Sequence, residues 1–530
     1  MAVDFDWEAL PDDLRDGLLL GGSGKQHLSS LASLAMSSPR TARLGLDLLS
    51  AAWEGSPLDG GLARTLVALD ARAAFLSPGV RRAARACAEN WAVPEGSDQM
   101  AALAASRRHG ELPGFLAGGF RREPRNLFWR QHLLDLAYLL GEWDMALEAA
   151  RAPWPDGLEA AREKCLGDIA FQNGGFEEAR ARYAQAAVLR PARFRLGQSL
   201  FRLGRDAEAA VQWRKALRAA PWNVDTLCRL HDSLAGLDRP GPPLSGKVAV
   251  CLYTYGKARE LDATLHALFA SDLGNAAVLA LDNGGAGGVP ELLAGWKDRA
   301  GEALDVISLP VNVGAPAARN WLMRHPRAAG SDFVAYLDDD ALVPPDWRGR
   351  FAQAVRACPG AGVWGAKVVD LAHPGRVQHA EINLLPGAGP VPAFSAPCAG
   401  DLDFGQWDRV RACLSVTGCF HLFRTASLME CGDFDIRFSP TQYDDLDHDL
   451  RLASMGKPPV CQGHLTVRHA RLSGALLHQD ACATGNSEGN LRKLAAKHPY
   501  EERESLRREM ASLLLEDAKA KAAACARAWT

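Results

Sequence analysis

Two periods of apolar residues divide the chain. From Leu10 to about Val93, leucines and alanines recur at the three- and four-residue spacing of amphipathic helices, and short breaks such as Glu54-Gly55-Ser56-Pro57 separate them. Beyond Gly246 the pattern changes. Lys247–Thr254 is a short, nearly continuous apolar run and reads as a buried strand, followed by a helical stretch over Ala258–Leu268. The alternation continues with a strand over Ala276–Leu281, a helix near Pro290–Trp296, a strand over Asp305–Leu309 and a helix over Ala315–Met323. Phe333–Leu337 is the next strand, and it stops at three carboxylates, Asp338, Asp339 and Asp340. Strands and helices in strict alternation predict an α/β unit, a mostly parallel sheet flanked by helices, preceded by an all-α region.

The all-α part contains a repeat. Gly167, Gly174, Phe176, Ala179, Tyr183, Ala186 and Pro191 recur as Gly197, Gly204, Asp206, Ala209, Trp213, Ala216 and Pro221, each thirty positions later, with a more degenerate copy at Gly141–Ala146. The spacing resembles the tetratricopeptide repeat, whose usual period is about 34 residues, so one helix or turn is expected to be short here. The resemblance implies a curved surface for a peptide, a protein partner or another subunit. Between the two regimes, Asp238–Gly246 holds three prolines and two glycines in nine residues and cannot continue a helix. The expected organisation is an α-helical region at 1–125, helical repeats at 126–236, a linker at 237–246, the α/β domain at 247–480 and a helical tail at 481–530.

A charged fraction of 23% and an apolar fraction of 48% are those of a soluble globular chain, and a net charge of -3 argues against wholesale nucleic-acid binding. Twelve cysteines without a C-x-x-C pair point to reduced thiols and a cytoplasmic location. The acidic start Met1–Asp6 lacks the basic and apolar regions of a signal peptide, and no apolar run is long enough to cross a bilayer, so no integral membrane segment is expected.

The carboxylate triplet is where candidate chemistry begins. Ligands of open α/β sheets sit at the carboxyl ends of strands, and three adjacent carboxylates repel one another unless a cation shares their charge. Around it stand Thr254-Tyr255-Gly256-Lys257, Asp282-Asn283-Gly284, Asn312–Asn320, Thr417–Arg424, Cys431–Asp435, Tyr443–Leu452 and Leu465–His469. In this order they resemble the motifs of the inverting nucleotide-sugar transferases called glycosyltransferase family 2, with the GT-A fold. The resemblance covers roughly Val248–His469, with weaker similarity to about Lys497. Three positions depart from the family pattern: Gly256 stands for Asn, Asp433 for a second Gly, and Asp444 for Glu.

The resemblance assigns roles. Asp340 is expected to bind a divalent ion, Mn²⁺ or Mg²⁺, with His469 completing the metal site or touching the diphosphate. Asp338 and Asp339 are expected on ribose or metal-bound water. Thr254 and Tyr255 would border the base, Asp282 with Asn283 would accept the N3–H of uracil, Gly314 would let backbone approach the ligand, and Arg319 would reach nucleotide or phosphates. Asp445 is the expected base, supported by Asp444, Asp447 and Arg451. The implied activity is metal-dependent, inverting transfer from a nucleotide-sugar donor, a UDP-sugar, to an acceptor hydroxyl on a protein or glycan. The alternative is a repeat-based interaction scaffold carrying an inactive transferase-like domain. A processive synthase would carry membrane spans and Q-x-x-R-W, and a dehydrogenase would show G-x-G-x-x-G after the first strand; neither pattern is present.

Overall fold

The computed structural model describes residues 5–22, 24–106, 110–386, 391–395, 401–470 and 481–528. The chain divides into two compact units, one of residues 1–230 with 522–530 and the other of residues 231–521.

The first unit is helical, its elements running from Asp12–Leu19 onward as hairpins of antiparallel helices. The thirty-residue repeat corresponds to two successive hairpins, Glu159–Gln172 with Phe176–Gln185 and Arg190–Arg202 with Asp206–Ala219. Its glycines are steric requirements. A Cβ on Gly167 would lie 2.8 Å from the ring of Tyr183, and one on Gly197 would lie 2.5 Å from the indole of Trp213. Each aromatic therefore packs against bare backbone of the helix before it, and the pair recurs because the hairpin does.

The second unit is built on a ten-stranded sheet. In chain order its strands are β1 (Val248–Thr254), β2 (Ala277–Asn283), β3 (Leu304–Leu309), β4 (Phe333–Leu337), β5 (Ala341–Leu342), β6 (Val363–Asp370) and β7 (Val377–His379). After a separate two-stranded ribbon, β8 (Asn383–Leu384) with β9 (Phe394–Ser395), come β10 (Val410–Ala412), β11 (Phe420–Arg424) and β12 (Val460–His469). The order across the sheet is β10-β12-β6-β11-β4-β1-β2-β3, with β5 added to β12 and β7 to β6. β1 to β4 are parallel to one another, β11 runs antiparallel between β4 and β6, and β12 is parallel to β6. Alternate side chains feed two apolar cores, one centred on Val250, Leu252 and Trp364 and the other on Cys251, Tyr336 and Phe423.

The four parallel strands and their helices lie within a few residues of their sequence expectation. β2 runs on through Asp282 and Asn283 because the ladder continues to Ser308 and Leu309. β12 starts at Val460, earlier than the apolar run Leu465–His469 suggests, since its register shifts between Gln462 and Thr466. Gly463 lies in that interval, where a Cβ would stand 1.9 Å from the carbonyl oxygen of Trp407. The Pro/Gly segment is held by backbone and side-chain bonds: Gly241 N donates to Gly349 O at 3.1 Å and Gln353 Nε2 donates to Arg239 O at 3.2 Å.

Candidate active site

The buried strand β4 delivers the triplet to the carboxyl edge of the sheet, where the Asp338 amide donates to Cys419 O at 2.8 Å. β5 begins one residue past Asp340 and pairs with the end of β12, Ala341 opposite His469. That two-residue ladder is what brings an imidazole from far along the chain to the triplet. Ala470 N donates to Asp340 O at 2.9 Å and closes the arrangement.

His469 Nε2 lies 2.9 Å from Asp340 Oδ1 and 3.9 Å from Asp338 Oδ2, while its Nδ1 lies 2.9 Å from Gln378 Oε1. With oxygens at both ring nitrogens the geometry suits an imidazolium. Burial alone would depress its pKa, but the hydrogen bond to Asp340 and the charges of Asp338 and Asp340 outweigh that and raise it. Lys257 completes the charge balance, with Nζ 2.8 Å from Asp339 Oδ1 and 2.9 Å from Asp340 Oδ2. Burial works against the ionised form of Asp340, yet His469 and Lys257 hold it below the usual carboxylate range. Among the described residues Asp338 has no such partner at bonding distance, and burial pushes it up to about 6. Asp339 is raised by burial, with Lys257 opposing.

A carboxylate oxygen of Asp338, the Cys419 sulfur and a ring nitrogen of His469 lie within 4.8 Å of one another. Burial raises the Cys419 thiol well above its ordinary value, and a sulfur is a soft donor beside the oxygen and imidazole donors that suit Mn²⁺. With the Nε2 proton of His469 given up to an incoming ion, the oxygen and nitrogen donors of Asp338, Asp340 and His469 form a set that suits Mn²⁺, and Mg²⁺ less well because of the imidazole.

The other half of the site comes from the helix Asp444–Ser454, whose first turn carries Asp444, Asp445 and Asp447 where the helix dipole favours anions. Asp445 accepts from Gly418 N at 2.8 Å through Oδ2 and from Leu446 N at 2.8 Å through Oδ1. Gly418 precedes Cys419, so one short backbone step separates the anchor of Asp445 from the anchor of Asp338. A Cβ on Gly418 would stand 2.5 Å from Arg319 Nη2 and 3.1 Å from Asp445 Oδ2. Asp444 turns inward to the buried guanidinium of Arg319, which lies among the rings of Tyr253, Tyr336 and Phe434. Asp447 is also buried, bonded to Lys497 at 2.8 Å, His498 at 2.9 Å and Arg451 at 3.2 Å. Arg451 continues to the carbonyls of Cys431 at 2.6 Å and Asp433 at 2.7 Å.

On the remaining side, Thr254 ends β1 in the interior and Tyr255 is 54% exposed. Asp282 Oδ1 accepts from Gly285 N at 2.9 Å. Asn283 bonds Asn312 at 3.0 Å and accepts from Val313 N at 2.9 Å, so it ties the end of β2 to the next loop. Gly314 has φ +83°, and a Cβ there would lie 2.8 Å from Ser439 Oγ; its close approach is to the 439–440 segment. Arg319 likewise serves Asp444 within the protein. The residues expected to meet nucleotide thus split into Thr254, Tyr255 and Asp282 at the strand ends, and Asn283, Gly314 and Arg319, which build the walls. His464, close to His469 in sequence, turns away to Asp232 at 2.9 Å. Asn490 Nδ2 donates to Phe438 O at 2.8 Å and Lys493 to Arg437 O at 2.7 Å, whereas His478, Gln479 and Asp480 lie outside the described residues.

Lys257 has no role assigned by the turn motif that contains it, although a cation three residues past the end of β1 is a usable signal. Gln378 and His379 carried no signal, because β7 is three residues long. Burial pushes the imidazole of His379 down, with the charge of Asp445 opposing.

Residues 249–407 match the family model described as Glycosyl transferase family 2. Within the second unit this stretch is similar to family 2 glycosyltransferases and lies in a mostly parallel sheet flanked by helices, while the helices of the first unit fit a helical repeat. No curated protein matches the chain in sequence. Among solved structures, the mannosyltransferase PcManGT from Pyrobaculum calidifontis, in complex with GDP-Man and Mn²⁺, is 17% identical with a TM-score of 0.34, covering 57% of this chain and 90% of its own. GalNAc-T7 with UDP, GalNAc and Mn²⁺ is 11% identical with a TM-score of 0.39, covering 51% of this chain and 54% of its own. S. aureus TarS is 18% identical with a TM-score of 0.28, and the match spans 39% of this chain and 33% of TarS.

Proposed function

We propose that the second unit transfers a sugar from a nucleoside diphosphate donor to an acceptor hydroxyl with inversion at the anomeric carbon. The observation that carries this reading is the meeting, across Gly418-Cys419, of the Asp338–Asp340–His469 cluster with the carboxylate of Asp445. Asp338, Asp340 and His469 are the residues that would hold Mn²⁺, and an ion bound there supplies positive charge against the departing diphosphate.

Asp445 takes the proton. Each of its oxygens accepts one backbone N–H, which fixes the carboxylate plane and leaves a second lone pair on each for an acceptor O–H. As the acceptor oxygen bonds to the anomeric carbon, the bond to the phosphate oxygen breaks and the electron pair leaves with the diphosphate. Tyr255 and Asp282 are the residues proposed to meet the base, with Asp282 Oδ2 the acceptor for the N3–H of uracil, which makes UDP-sugars the first donors to test. The helical repeats add a surface of the kind that binds extended chains, so the proposed acceptor is a protein or glycan. Among the described residues no helix is long and apolar enough to cross a membrane, and we place the reaction in the cytoplasm.

The test is donor hydrolysis and transfer with UDP- and GDP-sugars, with Mn²⁺ and after chelation, in the wild type, Asp340→Ala and Asp445→Asn. Mn²⁺-dependent turnover lost in both variants supports the reading, and the anomeric configuration of the product decides inversion. Nucleotide binding without metal dependence, and no turnover across the panel, would favour the scaffold.

A further inference from the structure

The ammonium of Lys257 stands between two carboxylates that the proposed function needs for a metal and a donor. It contacts Asp339 Oδ1 at 2.8 Å and Asp340 Oδ2 at 2.9 Å, and those side chains are only 8% and 5% exposed, against 29% for the lysine. Two nearly buried carboxylates side by side are costly without a cation, and here the chain itself provides one. The backbone arranges this locally. Gly256 has φ +69°, a left-handed conformation that turns the chain back over the end of β1 and brings Lys257 to the triplet, and Gly256 is the position where the family pattern has Asn. The lysine side chain has a flexible four-carbon stem and is partly exposed, so it can swing without disturbing the core.

We propose that Lys257 is a resident counter-cation that exchanges partners when the donor arrives. Without nucleotide it satisfies Asp339 and Asp340 and competes with a divalent ion for Asp340. With a nucleoside diphosphate bound, the ammonium passes to the diphosphate oxygens and releases the carboxylates to the ion. Metal and nucleotide then bind with positive coupling, and by reciprocity each strengthens the other equally. Metal alone is held weakly, which keeps the site from filling with an ion that has no donor to act on. This inference rests on the metal-dependent reading above.

The experiment is calorimetric titration of the full chain with Mn²⁺ alone, with UDP alone, and with Mn²⁺ in saturating UDP. The proteins are the wild type, Lys257→Met, Lys257→Gln, Lys257→Arg and Asp340→Ala. In Lys257→Met and Lys257→Gln, Mn²⁺ alone should bind about tenfold tighter than in the wild type. The gain from adding UDP should shrink by about the same factor, and Lys257→Arg should stay close to the wild type. If removing the charge leaves Mn²⁺ affinity unchanged or weakens it, Lys257 is only a structural pin and the inference is overturned. The two neutral variants guard against misfolding of either one. If Mn²⁺ binds the wild type neither alone nor with UDP, or binds Asp340→Ala equally well, the metal reading fails and takes the inference with it. An unchanged affinity in the lysine variants, together with loss in Asp340→Ala, refutes the inference alone.

Discussion

Asp444, Asp445, Asp447 and Asp449 sit in one and a half turns of helix, and the fold gives each a different environment. Asp444 faces Arg319, Asp447 faces Lys497 and His498, and Asp449 accepts from Ser415 Oγ at 2.8 Å and Val416 N at 2.9 Å. Asp445 alone of the four points to the partly open side. Asp445→Asn should therefore lower kcat by about 10²–10⁴-fold while UDP affinity in Mn²⁺ stays near the wild type, a split read by steady-state kinetics and titration. Asp444→Ala should instead cost about 3–5 kcal/mol of stability, because it leaves the buried Arg319 without its carboxylate. His448 supplies the pH prediction. Burial pushes its imidazole down to about 3, and it stays neutral, stacked on Phe434 at 4.4 Å with Nε2 3.2 Å from Gly432 O. The unfolded chain takes up a proton below its ordinary value of about 6.5, so this stability is complete above that pH and is lost as pH falls toward 3. In His448→Phe, the drop in urea-unfolding free energy between pH 7.5 and 4.5 should be about 2.7 kcal/mol smaller than in the wild type.

At the scale of elements, the site depends on pieces with very different visibility in sequence. β1, β2, β4 and the helices between them are long enough to show a period, and the boundaries read from that period stand within a few residues of the observed ones. β5 and β7, of two and three residues, show none. Yet β5 sets the register that places His469 beside Asp340, and β7 carries the Gln378 that orients the imidazole. The repeat hairpins make the complementary case, where a sequence pattern has a direct steric cause. Gly197→Ala forces a methyl into the indole of Trp213 and should destabilise the helical unit by about 1–3 kcal/mol, measurable by thermal or urea unfolding. Asp447 holds the helix Ala481–Lys497 and the turn after it through Lys497 and His498. In Asp447→Ala, amide exchange in residues 485–497 should accelerate well before that of the sheet.

At the scale of the whole molecule, each unit has its own apolar interior, and the proposed chemistry sits in one of them. UDP with Mn²⁺ at about a hundred times their dissociation constants should stabilise the domain by about 2.7 kcal/mol. The exchange protection gained should concentrate at the ends of β1, β2, β4 and β12. Protection spread evenly over the helical repeats would place the nucleotide elsewhere.

The chain's own residues, read in order, determined the change from helical to alternating period and the strand that ends in three aspartates. They also determined the motif order that pointed to a family 2 transferase, because periodicity and local turn chemistry are properties of neighbours in sequence. Tertiary structure alone decided how charges far apart in the chain are paired. It showed Arg319 paired with Asp444, Asn283 tied to Asn312 and Val313, and Lys257 between Asp339 and Asp340. The physical reason is that a side chain's partner is set by what the sheet register and loop packing bring within about 3 Å, and no local pattern encodes that distance.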